Sequence, residues 1–232
     1  MSDRPTKENF EAWNEEMIRE FDPDEYHNHP SPIVRFIEGR RVDFLLEELD
    51  LRPGLKVLEV GCGAGNILER ISDCELHGLD ISDYILEKAR RRLGVRATVV
   101  KGDAEALPFE DQTFDRVYCS EVLEHVLDPG KVLAEMRRVV KNNGVAVASI
   151  PNEDLINRLK DVVFKMGPLG RIILQTGDGY ESVENMEDHW HLHEFDRELL
   201  RTAVGDSFRI EKVRSVPFAG LPLRFVAKLR PH

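Results

Sequence analysis

Ten residues, Val57-Leu58-Glu59-Val60-Gly61-Cys62-Gly63-Ala64-Gly65-Asn66, limit the possible folds more than any other stretch of the chain. An apolar run carrying one acid enters a glycine-dense turn. An apolar helical pattern leaves it, from Asn66 through Ile67, Leu68 and Ile71. The expectation is a strand, a tight loop and the start of a helix. Glycine permits positive φ and lets a ligand approach the main chain, and a helix start adds free amide donors. Such a loop holds a polar small molecule against the backbone. The turn reads Gly-x-Gly-x-Gly with Asn66 in the sixth place, where a dinucleotide fingerprint carries its third glycine. Glu59, just before the turn, would repel a diphosphate. An acid there suits a ligand that carries positive charge.

The next segments repeat the alternation. Leu76-His77-Gly78-Leu79-Asp80 reads as a second strand ending in an acid 19 residues after Gly61. An acid at that strand end can accept hydrogen bonds from both ribose hydroxyls of a nucleoside, and this feature does not separate one nucleoside cofactor from another. Ser82 supplies an N-cap for a helix over Asp83 to Leu93. Ala97 to Lys101 is a third strand, leading into Gly102-Asp103-Ala104-Glu105-Ala106-Leu107-Pro108-Phe109. Phe114 to Ser120 is a fourth, running into Glu121-Val122-Leu123-Glu124-His125-Val126. Pro129 opens a helix, Asn142-Asn143-Gly144 stops it, and Val145 to Ile150 forms a fifth strand. Strands alternating with helices give an α/β fold with a doubly wound, mostly parallel sheet. Its crossovers bring Gly61 to Gly65, Asp80, Asp103 and Ser120 to one sheet edge.

With its turn read as Val-Leu-Glu-Val-Gly-Cys-Gly-Ala-Gly and the later motifs in order, the chain resembles the class I S-adenosylmethionine (SAM) methyltransferases, best over Leu55 to Ile150. The resemblance implies SAM as cofactor and a Rossmann-like sheet of seven strands, completed by an antiparallel edge hairpin from Phe208–Val213 and Arg224–Leu229. It implies cofactor contacts from Glu59, Gly61, Cys62, Gly63, Gly65, Asp80, Ile81 and Ser120. Asp103 and Ala104 stand where the family forms its adenine pocket. An arginine of the lead-in meets the methionine carboxylate in similar enzymes. Arg35 is the candidate here, against the alternative of a solvated surface arginine.

Methyl transfer from a sulfonium is an in-line displacement that needs donor and acceptor held in register and water excluded. The pattern Glu121-x-x-Glu124-His125 resembles the magnesium-binding motif of ubiquinone-biosynthesis O-methyltransferases and of small-RNA 2′-O-methyltransferases. In the latter a downstream histidine completes the site. His189, His191 and His193 are available, with His191 best placed. This resemblance implies Mg2+ or another divalent cation on Glu121, Glu124, His125 and His191. The alternatives are His125 as a metal-free base or as a structural histidine. The function so implied is methyl transfer to a small-molecule or lipid-like acceptor, at oxygen in one reading. The competing classes are a non-catalytic SAM- or nucleotide-binding module and an NAD(P)-dependent oxidoreductase.

The flanks complete the division expected: 1–50 a helical lead-in over the site, 51–150 the SAM-binding core, 151–195 an insertion or lid, and 196–232 a C-terminal helix and edge hairpin. Phe10, Trp13, Met17, Ile18 and Phe21 mark a helix lying over the domain, and Ile33 to Leu49 a second. Within Leu155 to Leu174 apolar residues alternate with Arg158, Lys160, Lys165 and Arg171. This is an amphipathic helix that is either a lid on its own domain or a peripheral membrane contact. A Gly167-Pro168 break, a loop at Gly177 to Tyr180 and an acid-rich run from Glu181 to Asp188 follow. A formal net charge of -11 argues against a general nucleic-acid binder. Three cysteines without metal spacing suggest a reducing compartment. No signal peptide or membrane-spanning run stands out, so the cytoplasm is the expected location. The sequence leaves the acceptor and the oligomeric state open.

Overall fold

The computed structural model describes residues 4–24, 29–165 and 190–232. The elements in chain order are α1 (Phe10–Glu20), α2 (Pro32–Leu49), β1 (Lys56–Val60), a 3-10 turn (Leu68–Arg70), β2 (Glu75–Asp80), α3 (Asp83–Leu93), β3 (Ala97–Lys101), β4 (Phe114–Ser120), α4 (Pro129–Val139), β5 (Val140–Pro151), α5 (Glu153–Lys165), α6 (Arg197–Val204), β6 (Phe208–Phe218) and β7 (Leu221–Pro231). The seven strands form one sheet in the order β3-β2-β1-β4-β5-β7-β6. β1 to β5 are parallel to their neighbours, and β7 joins β5 antiparallel. This is the doubly wound, Rossmann-like sheet with an antiparallel edge hairpin that the sequence led us to expect. Its strand order reverses direction between β1 and β4, the crevice where open α/β sheets bind ligands.

Local chemistry explains the elements. Ser82 Oγ accepts from the Ile85 amide at the start of α3, and Asp128 Oδ1 from Lys131 at the start of α4, where Pro129 takes the first turn. Asp196 Oδ1 accepts from both Glu198 and Leu199 at the start of α6. Apolar residues pack on both faces of the sheet. Leu45, Leu49, Leu86 and Leu93 cover one face, and Leu133, Met136, Leu200 and Val204 the other.

Three details depart from the sequence reading. The helix expected to leave the glycine turn at Asn66 is a single 3-10 turn. β2 starts beside the start of β1, so the chain must return the length of a five-residue strand, about 16 Å. A helix rising about 1.5 Å per residue would need about 11 residues for that. Asn66 to Cys74 supplies fewer, and these residues form a turn, the 3-10 turn and a bend with Asp73 at φ +59°. Strand pairing resumes at Val140 rather than Val145, with a register irregularity between Phe114 and Arg116. The hairpin strands run 11 residues each, beyond the six expected. Of the amphipathic segment, α5 is described to Lys165. The Gly167-Pro168 break, the loop at 177–180, the acidic run and His189 lie outside the described residues. No helix among the described residues is long and apolar enough to cross a membrane.

Candidate active site

The carboxyl ends of β1, β2, β3 and β4 open into one cavity of about 460 Å³. α1 roofs it through Phe10, Asn14 and Ile18. The roof is tied down by polar contacts. Ser82 Oγ donates to Glu15, the Tyr84 hydroxyl donates to Asp22 at 2.9 Å, and Asn66 Nδ2 and Arg92 donate to Asp24 at 3.0 and 2.8 Å. Trp190 packs with Ile18, Ala64 and Ile85 in a small core between roof and body.

Gly61 and Gly63 lie at φ +70° and +50° and line the cavity, and a Cβ on Gly61 would overlap Val122. Gly65, also left-handed, stands outside the cavity wall: a Cβ there would lie 2.7 Å from Leu93 Cδ1, so this glycine serves packing on α3. Cys62 is buried against Gly78, and burial pushes its thiol well up, as it does that of Cys119. Both cysteines are buried and pack as small apolar side chains. Asp80 lies at the end of β2 with one carboxylate oxygen accepting from the Gly63 amide at 2.9 Å and the other from Ser82 at 3.1 Å. Burial raises its pKa and these amides oppose the rise. Ile81, Asp103, Ala104 and Ser120 line the same cavity.

Glu59 is the most exacting residue of the set. It lines the cavity at 2% exposure, and its Oε2 has no hydrogen-bond partner. Burial pushes its carboxyl well above the usual range, against the pull of Tyr118 and Arg41. A buried carboxyl oxygen without a partner beside the glycine turn suits a positive group. An ammonium fits it and a diphosphate does not.

The structure places Arg35 away from this cavity. Its guanidinium donates to the carbonyls of His29 and Pro30 at 2.7 and 2.8 Å, on the exposed side of α2. The arginine in the cavity wall is Arg41, buried, with Nε and Nη2 on Glu38 at 2.9 and 2.7 Å and Nη1 on the Ser120 hydroxyl. Arg224, from β7, lies within ion-pair distance of Glu38 and Glu121. It stands at the site because β7 is antiparallel: Arg224 pairs with Pro151 at the carboxyl end of β5. The sequence reading chose Arg35 over Arg40 and Arg41 of the same lead-in, and missed Arg224. The six-residue step from Arg35 to Arg41 carries the side chain to another face of α2, which spacing alone could not rank.

Of the four groups expected to hold a cation, three converge. Glu124, His125 and His191 each offer a ligand atom, all within 4.8 Å of one another. Glu121 does not join them: its Oε1 accepts from Ser149 Oγ at 2.9 Å and its Oε2 lies 2.9 Å from Arg224 Nε. Burial raises the pKa of Glu124 and lowers that of His125 well below its ordinary value.

An open, mostly parallel sheet with a glycine turn and two buried strand-end acids, Glu59 and Asp80, lining the cavity at its switch point is a Rossmann-like architecture. Residues 58–148 match the family model described as "Methyltransferase domain". They form a class I, SAM-dependent methyltransferase domain, to which the chain's remaining elements add the roof and the edge hairpin. The chain is 37% identical over 115 residues to a sterol 24-C-methyltransferase of Schizosaccharomyces pombe, covering 46% of this chain and 30% of that protein. It is 33% identical over 153 residues to a ubiquinone/menaquinone biosynthesis C-methyltransferase of Shewanella piezotolerans, covering 60% and 61%. The chain thus spans less than two thirds of these relatives' length. Among solved structures, the PH0226 protein of Pyrococcus horikoshii shares the fold with a TM-score of 0.65 at 23% identity, over 90% of this chain and 99% of that one.

Proposed function

We propose that this protein transfers a methyl group from SAM to a small-molecule or lipid-like acceptor. The observation that carries this reading is Glu59, a buried, cavity-lining carboxyl beside a glycine turn whose Oε2 has no hydrogen-bond partner. It suits the ammonium of the methionine moiety and disfavours a dinucleotide. In this reading Gly61, Cys62 and Gly63 present backbone to the cofactor, Asp80 and Ile81 take the ribose, and Asp103 and Ala104 take the adenine. Arg41, in place of Arg35, stands beside Ser120 to meet the methionine carboxylate.

The acceptor side is Glu124, His125 and His191, with Trp190 and Phe10 as apolar wall. His125 is the group we assign to meet the acceptor. A divalent cation held by Glu124, His125 and His191 would lower the pKa of an acceptor hydroxyl. The protein's own residues position the acceptor and, with the roof of α1, exclude water. The relatives' names specify carbon as the methylated atom, whereas the Glu-x-x-Glu-His motif led us to expect oxygen. The proposal therefore leaves the acceptor atom to experiment. We further propose that α5, with half-buried Leu155, Ile156 and Leu159 and exposed Arg158, borders the acceptor entrance and touches lipid surfaces. Sedimentation with anionic vesicles should capture the protein and lose it in Leu159→Glu; absent capture of the parent protein ends that part.

The test of function is uptake of label from methyl-labelled SAM into a cell extract, with lipid, small-molecule, RNA and protein fractions counted separately. Label should enter a lipid or small-molecule fraction. Label confined to RNA or protein would refute the acceptor class, and no uptake from any extract would refute the activity.

A further inference from the structure

The histidine–glutamate cluster has an organisation that the motif alone did not suggest. The turn after β4 passes through Glu121 at φ +54° and sends Glu121 and Glu124 to different surroundings. Glu121 is spent on Arg224 and Ser149. Glu124 is 1% exposed, lines the cavity, and its Oε2 has no partner. A carboxyl oxygen buried without a partner is costly unless something occupies the space beside it.

The segment from Trp190 to His193 is fastened to that same turn. The Glu124 carbonyl accepts from Leu192 N at 2.7 Å and from His193 N at 3.3 Å, and a ring nitrogen of His193 lies 2.9 Å from the Val126 carbonyl. These contacts hold the His191 ring against that of His125, with centroids 4.7 Å apart. In both rings Nδ1 faces backward. His125 Nδ1 lies 3.4 Å from the Trp190 carbonyl. His191 Nδ1 is buried 2.9 Å from Glu153 Oε1, off the line of a well-formed hydrogen bond. Glu153, in the first turn of α5, is 4% exposed and stands behind His191 rather than in the cavity wall. Each imidazole therefore has its Nδ1 side against an oxygen, which leaves Nε2 for the cluster. A carbonyl or carboxylate behind the imidazole is the usual second partner of a metal-ligating histidine.

We propose that Glu124, His125 and His191 bind a borderline divalent cation of the Zn2+, Co2+ or Mn2+ kind, with Glu153 as the carboxylate that orients His191, and that Glu121 is no ligand. Two imidazoles and one carboxylate favour such ions over Mg2+, which prefers oxygen ligands and retained water. Three protein ligands also leave coordination positions open, the arrangement of a working rather than a closed structural site. The proposal rests on the methyl-transfer reading for the use of the cation, not for its binding.

The experiment uses the full chain, stripped with a chelator, dialysed and titrated with Co2+ while visible absorption is followed. One saturating equivalent of Co2+ with ligand-field bands is expected, displaced by Zn2+ and not by excess Mg2+. Glu124→Gln and His191→Ala should abolish the bands. Glu153→Gln, which removes no ligand, should weaken Co2+ binding about 10- to 100-fold. Glu121→Gln should leave the affinity unchanged. Thermal melts confirm that each variant is folded, and calorimetry with S-adenosylhomocysteine on the same samples reports the cofactor half independently. No saturable Co2+ bands in the parent protein, displacement by Mg2+, or loss of binding in Glu121→Gln equal to that in Glu124→Gln would each overturn the site. Cobalt binding retained with no response to S-adenosylhomocysteine would sustain the site and overturn the methyl-transfer reading instead.

Discussion

Replacing Gly61 by alanine perturbs the turn at its tightest point. The residue sits at φ +70° with its amide on the Leu79 carbonyl at 2.8 Å, and an added Cβ would overlap Val122 Cγ2 and lie 3.1 Å from Cγ1. Two costs combine. A left-handed backbone costs an L-residue about 1–2 kcal/mol. Overpacking against a β-branched side chain, which has few rotamers into which to retreat, costs about 1–3 kcal/mol. The loss should be about 2–5 kcal/mol, a large part of the 5–15 kcal/mol of a typical domain. Urea unfolding followed by tryptophan fluorescence measures it. Removing the obstacle as well, in Gly61→Ala/Val122→Ala, should show a favourable coupling of about 1–3 kcal/mol while the backbone cost remains. Gly39→Ala is the control. That glycine is inside α2 with nothing within 4 Å of its added Cβ, so the change should stabilise by up to about 1 kcal/mol. A Gly61→Ala loss below about 0.5 kcal/mol, typical of an unconstrained surface site, would refute the reasoning. So would an absence of coupling to Val122.

Other expectations follow from the same geometry. Asp80→Asn should weaken S-adenosylhomocysteine binding about 10- to 150-fold, the worth of one hydrogen bond to a charged group, and an unchanged Kd would contradict the ribose role. Burial holds the Glu59 carboxyl well above its ordinary 4.5, so the folded protein keeps a proton that the unfolded chain releases. The parent protein should therefore lose stability as pH rises from about 4.5 toward the raised pKa, and Glu59→Gln should escape that loss. A cationic ammonium arriving beside Glu59 should expel the same proton and tighten SAM binding by up to about tenfold per pH unit within that window. Heats of SAM binding that do not differ between buffers of different ionisation enthalpy would argue against this. Arg41→Met, which removes two hydrogen bonds from buried Glu38 and leaves it Arg224, should destabilise by about 1.5–3 kcal/mol, whereas Arg35→Met on the exposed side should stay within about 0.5 kcal/mol. Equal effects in thermal melts would show that the two arginines have been assigned wrongly.

Much of the fold was legible because it is written in local signals. Ser82, Asp128-Pro129 and Asp196 start their helices where capping chemistry places them, and β3 and β4 begin and end where the apolar runs do. The crossover after Gly65 was misread because Ile67, Leu68 and Ile71 have helical spacing, while the distance back to β2 is a property of the sheet. On the site, the strand-end residues Glu59, Asp80, Asp103 and Ser120 were legible because parallel strands place their ends on one edge. Arg41, Arg224 and Glu153 were not. Each comes from an element whose rotation or direction against the sheet is fixed only by tertiary packing. Arg224 depends on the antiparallel return of β7, and Glu153 on the start of α5 folding back toward Phe195.

The central claim is that the glycine turn after β1 and the buried Glu59 receive an adenosyl amino acid. Isothermal titration calorimetry of the full chain with S-adenosylhomocysteine and, separately, with NADH tests it most directly. The account requires saturable one-to-one heat from S-adenosylhomocysteine, weakened in Asp80→Asn, and none from NADH. Saturable heat from NADH with none from S-adenosylhomocysteine would contradict it.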